Sequence, residues 1–339
     1  CFLSRAHAMT DPTPTSEAST ATAEEVSGDG ASGGWPETKS QMSLRANLQN
    51  SPKEQAIKYA LGACALLSVL TTLGIAAVLL FESVGFFREV GITEFLGNTE
   101  WTPQFADKNF GIWPLVAGTV MITVISAAVS MPLGLASAVY ISAYAPRRLR
   151  AWLKPGLELL AGVPTVVYGY FALTFVTPLL QTFFPDLGVF NALSAGLVVG
   201  IMVIPMVASL SEDAIQAVPK SLWNGAYALG ATKLEVVLRV VVPSAFSGIV
   251  ASFILALSRA IGETMIVTLA AGATPKLTAD PTESIQTMTA FIVQMGKGDV
   301  AQYTIEYKAL FAVGFVLFLI TLAMNIFANR IVARYQEKY

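Results

Sequence analysis

Six long apolar segments, separated by polar stretches, follow one another along the chain after about residue 55. A helix needs about 20 residues to cross a hydrocarbon core of ~30 Å, and each segment approaches or exceeds that length. The pattern predicts an all-α polytopic membrane protein with six transmembrane helices. The segments cover residues 57–81, 113–144, 157–180, 192–210, 245–271 and 310–328. Because the second is too long for a straight perpendicular span, we expect it to tilt, extend beyond the bilayer or bend at Pro132.

The stretch before these segments, residues 1–55, is rich in Ser, Thr, Ala, Gly, Pro and acidic residues. This composition cannot bury enough apolar surface to fold, so we predict a disordered tail followed by a transmembrane domain over residues 56–339. A regulatory or docking segment is the alternative. Met9 is a plausible start, in which case residues 1–8 lie outside the natural protein. A lipid-anchored Cys1 would place the tail outside the cell, against the orientation predicted below.

Lys and Arg residues are concentrated in alternate polar stretches, and such residues favour the cytoplasmic side of a membrane. They predict that both termini are cytoplasmic, which makes residues 1–55 a cytoplasmic tail. The cations of this side are Lys39, Arg45, Lys53, Lys58, Arg147, Arg148, Arg150, Lys154, Lys220, Lys233, Arg239, Arg330, Arg334 and Lys338. The three opposite stretches hold only Arg88, Lys108, Lys276, Lys297 and Lys308.

Composition supports the membrane class, because 54% of residues are hydrophobic and only 13% are charged, about half of the ~25% usual in soluble domains. The single histidine, His7, lies in the tail, so the apolar segments contain no histidine-based catalytic or metal site. Two cysteines, Cys1 and Cys64, indicate no disulfide framework. No basic tract indicates nucleic-acid binding. No GxxxxGK[ST] motif occurs, so any ATPase would be a partner. The sequence predicts no catalytic residue, cofactor or metal.

Two charges stand inside the fifth apolar segment, in the stretch Ser258-Arg259-Ala260-Ile261-Gly262-Glu263-Thr264-Met265. A continuous helix would place Arg259 and Glu263 on one face, one turn apart. Each charge costs about 2.5–3.5 kcal/mol at a bilayer centre on insertion scales. We therefore expect the pair to face protein or water, either as an internal ion pair, as part of a substrate path, or in a proton relay.

The polar stretch before that segment, residues 211–243, predicts a short helix that starts at Pro219 and a second amphipathic segment that stops at Pro243. It is either a lever for a cytosolic partner or a connecting loop. Small residues at spacing four, Ser126 to Ala138, and the pair Gly196 and Gly200 predict close helix packing. Aromatic residues crowd the predicted outer loop 82–112 and indicate either an aromatic belt or a docking face for an extracytoplasmic partner.

The stretch 211–243 resembles the E-A-A-x3-G-x9-I-x-L-P signature of binding-protein-dependent ABC importer permeases. The pattern falls on Asn224-Gly225-Ala226, Gly230 and Val240-x-Val242-Pro243. Ala226, Gly230 and Pro243 match, whereas Asn224 replaces the usual Glu and Gly225 replaces an Ala. In the family this loop forms the coupling helix that seats on the ATPase subunit, so the resemblance assigns ATPase coupling to Asn224, Gly225, Ala226, Gly230 and Pro243.

Two further stretches resemble phosphate importer permeases, namely 161–169 (AGVPTVVYG) and 258–265 (SRAIGETM). The second is more similar to the C-type subunit than to its A-type companion. The resemblance covers about residues 57–335. It implies an ABC type I importer permease fold in a bacterial plasma membrane. From the depth and spacing of the two charges, we predict a substrate path that contains Ser258, Arg259, Glu263 and Thr264. The resemblance also implies three partners: an A-type permease that completes a heterodimer, a cytosolic ATPase dimer and an extracytoplasmic phosphate-binding protein.

Phosphate fits the charge pair chemically. A guanidinium such as that of Arg259 binds phosphate oxygens bidentately. The P–OH of hydrogen phosphate can donate a hydrogen bond to the carboxylate of Glu263, whereas the same carboxylate would repel sulfate, which has no such proton. Three alternatives stay open: a permease for another oxyanion such as sulfate or molybdate, an ion-coupled secondary transporter, and an intramembrane enzyme. The last is disfavoured because no Ser/His, paired-Asp or metal constellation lies within the spans.

Overall fold

The computed structural model describes residues 52–298, 301 and 304–335, so the predicted tail lies almost wholly outside the described residues. Contacts divide the chain into two units, residues 1–67 and 68–339. The described part of the first unit is the beginning of one long helix. Within the described residues, β structure is limited to an isolated bridge between Trp101 and Phe110. The prediction of an all-α protein is confirmed.

We number the α-helices in chain order. They are α1 (Pro52–Glu89), α2 (Ile92–Gly97), α3 (Trp113–Val139), α4 (Arg147–Gly162), α5 (Thr165–Phe171), α6 (Thr177–Gln181), α7 (Ala192–Ala217), α8 (Lys220–Ala228), α9 (Lys233–Val236), α10 (Val242–Ser244), α11 (Phe246–Ile261), α12 (Met265–Ala270), α13 (Met288–Lys297) and α14 (Ile305–Tyr335). Short π-helical turns follow α3, α5 and α9, at Tyr140–Tyr144, Ala172–Val176 and Val237–Val241.

Within the part of the chain that the structure describes, four helices, α1, α3, α7 and α14, are long and apolar enough to cross a membrane. The number becomes six if each of two bent pairs forms one span. The predicted third segment belongs to such a pair. It is not one helix, because α4 and the α5–α6 segment meet at 87°. Pro164 explains the break, since proline disfavours helical backbone at the preceding residue, and Val163 is extended at φ −66° and ψ 129°.

The predicted fifth segment, 245–271, begins at a bend and is interrupted where α11 ends. The α9–α10 segment meets α11 at 70°, close to Ala245. At the other end, α11 stops at Ile261, ten residues before the predicted end of the segment at 271. The single helix predicted through Gly262 and Glu263 is therefore wrong, and a short second helix, α12, follows after the break.

Helices α3 and α7 form the centre of the packed core. The predicted small-residue row on α3 is buried: Ser126, Ser130, Gly134 and Ala138. A Cβ atom at Gly134 would lie 2.6 Å from Val207 of α7, and one at Gly200 would lie 2.9 Å from Val129. These distances are too short for any side chain larger than hydrogen, so the glycines permit the close approach of the two helices.

The predicted aromatic belt is largely a packed cluster. Phe86, Phe95, Trp101 and Phe110 are buried, and their rings meet edge to face, with centroids 5.4–6.3 Å apart. Trp101 also packs edge to face on Phe291 of α13, at 5.0 Å. A lipid-facing belt is therefore the wrong interpretation for these four residues. Their burial fixes the loop between α1 and α3 against α13.

Candidate functional site

The predicted site residue Arg259 lies near the end of α11 and is exposed in the isolated chain. Its Nη2 atom contacts the Sδ atom of Met202 on α7 at 3.8 Å. Helices α7 and α11 pack directly against each other. The amphipathic pattern of α11 buries Ile249, Ser252, Ala256 and Ala260, which leaves the guanidinium accessible.

Glu263 lies beyond the end of α11, in the break before α12, and is only 7% exposed. Its Oε1 atom accepts hydrogen bonds from the backbone N–H groups of Met265, at 3.1 Å, and Ile266, at 3.3 Å. Its carbonyl oxygen accepts a hydrogen bond from the hydroxyl of Thr289, at 2.7 Å. The carboxylate therefore satisfies the first free amides of α12, as an N-terminal cap does.

This arrangement corrects the prediction that one helix face carries both charges. No ion pair joins Arg259 to Glu263 among the residues that the structure describes. The physical reason is that α11 ends before Gly262. Glu263 therefore does not lie one helical turn after Arg259, and its carboxylate accepts hydrogen bonds from the amides of α12 instead.

The other two predicted path residues use their hydroxyls for structural contacts. The Ser258 hydroxyl donates to Oδ1 of Asn325 on α14, at 3.2 Å. The Thr264 hydroxyl donates to the carbonyl oxygen of Gly262, at 3.1 Å, within the break. The structure thus places Ser258 at a contact between α11 and α14, and Thr264 in the turn that leads to Glu263.

A cavity of about 480 Å³ contains Arg259 and has walls from α4, α7 and α11. Its remaining lining residues are Lys154, Leu157, Glu158, Ala161, Met202, Pro205, Met206, Ser209, Leu210 and Glu212. Two cations, Arg259 and Lys154, thus share the cavity with two carboxylates, Glu158 and Glu212. Met202 and Glu212 are ten residues apart on α7, which corresponds to about 15 Å along a helix. The cavity follows α7 over that length.

Glu212 is a functional candidate that was not predicted from the sequence. It is 1% exposed. Its Oε1 atom lies 2.5 Å from Nη2 of Arg150, and its Oε2 atom lies 2.7 Å from Nζ of Lys154. The amide of Gln216 also donates to Oε1. A signal was present in the sequence: an acidic residue lies two positions past the fourth apolar segment, and cations line the preceding loop of the same predicted side. The pairing itself depends on the bend between α4 and α5.

The stretch 211–243 contains the predicted short helix, α8, directly after Pro219. Asn224 and Gly225 on α8 are exposed, Ala226 is half-buried, and Gly230 follows with a positive φ of 82°. After Gly230, a capping box between Thr232 and Glu235 starts α9. The second predicted segment runs through Pro243 to Ser244.

Buried residues connect this stretch to the membrane helices. Val236 and Val241 pack in one cluster with Ile215 of α7 and Ile249 of α11, and Trp223 of α8 packs against that cluster. Four of the coupling residues predicted from the resemblance, Asn224, Gly225, Gly230 and Pro243, are therefore exposed, whereas Ala226 packs against the buried cluster that connects the stretch to α7 and α11.

The sequence matches the family model described as "Binding-protein-dependent transport system inner membrane component" over residues 130–337. It is 34% identical to the probable ABC transporter permease protein YqgH of Bacillus subtilis, over 75% of this chain and 83% of that protein. It is 34% identical to the phosphate transport system permease protein PstC of Xylella fastidiosa Temecula1, over 72% of this chain and 80% of that protein. For PstC 1 of Mycobacterium tuberculosis the identity is 32%, over 82% and 93%.

Among solved structures, the chain resembles a bacterial alginate ABC transporter in complex with an alginate-bound periplasmic protein. The TM-score is 0.59 at 16% identity, over 83% of this chain and 96% of that chain. A second structure, of a transporter that imports the acidic polysaccharide alginate, gives 0.58 at 15% identity, over 86% and 100%. At this identity the likeness shows the fold alone. That fold is the one predicted from the sequence, an ABC importer permease.

Proposed function

The chain belongs to the family of binding-protein-dependent transport system inner membrane components, and we propose that it is the permease subunit of an ATP-driven importer for inorganic phosphate. Several relatives at 30–34% identity are named phosphate transport system permease proteins. The chain is a multi-pass membrane transport subunit and not an enzyme. ATP hydrolysis is therefore assigned to a partner.

The observation that carries this proposal is the exposed guanidinium of Arg259 in a cavity between α4, α7 and α11. A guanidinium binds two phosphate oxygens in one plane, with charge assistance. An exposed cation in an otherwise apolar span is costly unless it meets water, protein or a ligand. Arg259 would therefore contact the oxyanion during transport. Ser258 and Thr264 would join the path when α11 moves away from its present contacts.

The proposed partners follow from the family. A homologous A-type permease would complete the path as a heterodimer, and an extracytoplasmic phosphate-binding protein would deliver the substrate. A cytosolic ATPase dimer would dock on the permease pair, and one of its two copies would dock on α8 of this chain, around the exposed residues Asn224 and Gly225. With this surface in the cytoplasm, both termini are cytoplasmic, as the distribution of Lys and Arg predicts.

Coupling would reach the cavity through the buried cluster beneath α8. Because Trp223 packs on a cluster that includes Ile215 of α7 and Ile249 of α11, a displacement of α8 moves two cavity walls together. The predicted lever is not one continuous helix from the loop to Arg259, because a 70° bend near Ala245 separates α10 from α11. The packed cluster, rather than a continuous helix, would transmit the movement.

The test is ATPase activity of the assembled transporter with a candidate extracytoplasmic binding protein. We expect activity to rise when that protein carries phosphate, and Arg259→Gln to lower uptake in vesicles strongly. Arg148→Gln is the matched control, because Arg148 is an exposed cation of α4 outside the cavity. Stimulation by sulfate or molybdate instead would identify another oxyanion as substrate. Uptake without the ATPase, driven by an ion gradient, would indicate a secondary transporter.

A further inference from the structure

We propose that Lys154 is a second oxyanion contact in the transport path, and that Glu212 holds it until the substrate displaces the carboxylate. The proposal rests on the proposed function, because it assumes that phosphate reaches Arg259. Lys154, Glu212 and Arg259 line the same cavity. The substrate class is a small tetrahedral oxyanion, and the chemistry is an exchange of one anionic partner of the lysine for another.

Glu212 has two cationic partners, and one of them is enough to keep its buried carboxylate paired. The buried carboxylate is paired with both Arg150, at 2.5 Å, and Lys154, at 2.7 Å. Gln216 donates a further hydrogen bond to Oε1. If Lys154 leaves, Glu212 keeps a guanidinium and an amide as partners, so no unpaired charge is buried. Removing the only partner of a buried charge would instead be strongly destabilising.

Lys154 is suited to leave, whereas Glu212 is not. The side chain of Lys154 is 37% exposed and that of Glu212 is 2% exposed. A lysine ammonium is a point charge with rotating donors on a flexible stem, so it can turn between partners without a fixed geometry. Arg150 contributes the lasting contact. The cavity lining includes Lys154 but not Arg150, so the ammonium is the cation that an anion in the cavity would meet.

The two cavity cations are separated along α7. Arg259 contacts Met202 and Lys154 contacts Glu212, ten residues later, or about 15 Å along the helix. A phosphate that leaves Arg259 toward the predicted cytoplasmic side would therefore next meet Lys154. Competition from Glu212 keeps this second contact weak, as release requires, because a path that binds its substrate tightly does not conduct it. Glu158, which also lines the cavity, adds a repulsive charge or accepts the P–OH of hydrogen phosphate.

The experiment measures how phosphate protects a thiol in the cavity. Ser209, which lines the cavity and is exposed, is replaced by Cys in a chain that carries Cys1→Ser and Cys64→Ser. The assembled nucleotide-free transporter, without binding protein, is treated with an uncharged maleimide at increasing concentrations of inorganic phosphate. The phosphate concentration that halves the labelling rate gives the apparent affinity of the cavity.

Substitutions of the two partners of the ion pair should shift the half-protective phosphate concentration in opposite directions. Lys154→Gln should raise the half-protective phosphate concentration about threefold to tenfold, since it removes a charge-assisted contact. Glu212→Gln should lower it by a similar factor, because Lys154 is released from its competitor. In the double variant the gain should vanish. Arg148→Gln, a cation of the same helix outside the cavity, should leave the concentration unchanged.

A purely structural ion pair predicts a different pattern. Both single variants would then shift protection in the same direction, or would lower the amount of assembled transporter without changing the half-protective concentration. Either result overturns the role of Lys154. If phosphate protects the thiol in neither the wild-type path nor the Arg148→Gln control, the proposed function fails. Protection that is lost in Arg259→Gln but is equal in Lys154→Gln and wild type refutes only the second contact.

Discussion

Arg259 and Glu263 are four residues apart, and their side chains have different surroundings. The guanidinium of Arg259 faces the cavity and contacts the thioether of Met202. The carboxylate of Glu263 accepts hydrogen bonds from the amides of Met265 and Ile266. Loss of the positive charge should therefore impair substrate contact, and loss of the carboxylate should first impair the beginning of α12.

Variants at the two positions separate these effects. Arg259→Gln should lower phosphate uptake at least about tenfold at normal membrane abundance, because hydrogen bonds to charged groups contribute about 1.5–3 kcal/mol each. Glu263→Gln keeps an acceptor oxygen for the two amides, so its abundance should be normal. Glu263→Ala removes the cap, costs about 1 kcal/mol and should lower abundance. Membrane abundance is measured for each variant, and labelled phosphate uptake is normalised to it. Unchanged uptake in Arg259→Gln and Glu263→Gln would remove this stretch from the mechanism.

Discrimination against sulfate depends on which carboxylate meets the substrate. The sequence suggested Glu263, but the carboxylates that share the cavity with Arg259 are Glu158 and Glu212. Since the exposed Glu158 can accept the P–OH of hydrogen phosphate and repel sulfate, Glu158→Gln should increase sulfate inhibition of phosphate uptake several-fold. Glu263→Gln is the comparison and should change it less. Equal inhibition of the wild type and both variants would count against the P–OH argument.

At the scale of elements, hydrophobic length predicts where the chain enters the membrane but not where a span breaks. The segments that became α3 and α7 were predicted as helices and are continuous, although each contains an internal proline. Pro164 lies in the motif AGVPTVVYG, yet the 87° bend there could not be predicted, because a proline in an apolar segment can either break the helix or be accommodated within it. The outcome depends on whether neighbouring helices satisfy the freed backbone groups.

Gly230 gives the coupling stretch a turn that other residues adopt at a cost. Its φ is 82°, and a Cβ atom there would meet nothing within 4 Å, so any penalty for Gly230→Ala is backbone strain. Left-handed backbone costs an L-residue about 1–2 kcal/mol. The variant should loosen the turn between α8 and α9, which limited proteolysis would detect as faster cleavage within residues 220–243. Phosphate-stimulated ATPase activity should also fall.

Gly225 supplies a matched control for that prediction. It lies inside α8, and a Cβ atom there would also meet nothing within 4 Å. Because alanine is favoured over glycine in helices by about 1 kcal/mol, Gly225→Ala should make the stretch more resistant to cleavage. Similar cleavage of Gly230→Ala and the wild type would show that the left-handed conformation at Gly230 does not stabilise the turn.

At the scale of the whole molecule, the site is assembled from segments far apart in sequence. Arg259, Lys154 and Glu212 belong to three helices, and their neighbourhood follows from the bend after α4 and the packing of α7 on α11. The sequence marked Arg259 because a charge in an apolar segment is conspicuous. It did not mark Glu212, because an acidic residue just past an apolar segment is as readily a solvated helix end. Only the packing identifies it as buried.

Orientation in the membrane is the property on which the proposed direction of transport depends. The uneven distribution of Lys and Arg predicts that the start of α4 faces the cytoplasm and that the stretch between α12 and α13 faces outward. Arg148 is an exposed residue on the predicted cytoplasmic side, and Leu277 is an exposed residue on the predicted outer side. In a chain with Cys1→Ser and Cys64→Ser, a membrane-impermeant maleimide applied to intact spheroplasts should label Leu277→Cys and leave Arg148→Cys unlabelled. Permeabilised cells, in which both positions should react, control for accessibility. Labelling of Arg148→Cys alone would reverse the orientation, place α8 outside the reach of ATP, and exclude a cytosolic ATPase as its partner.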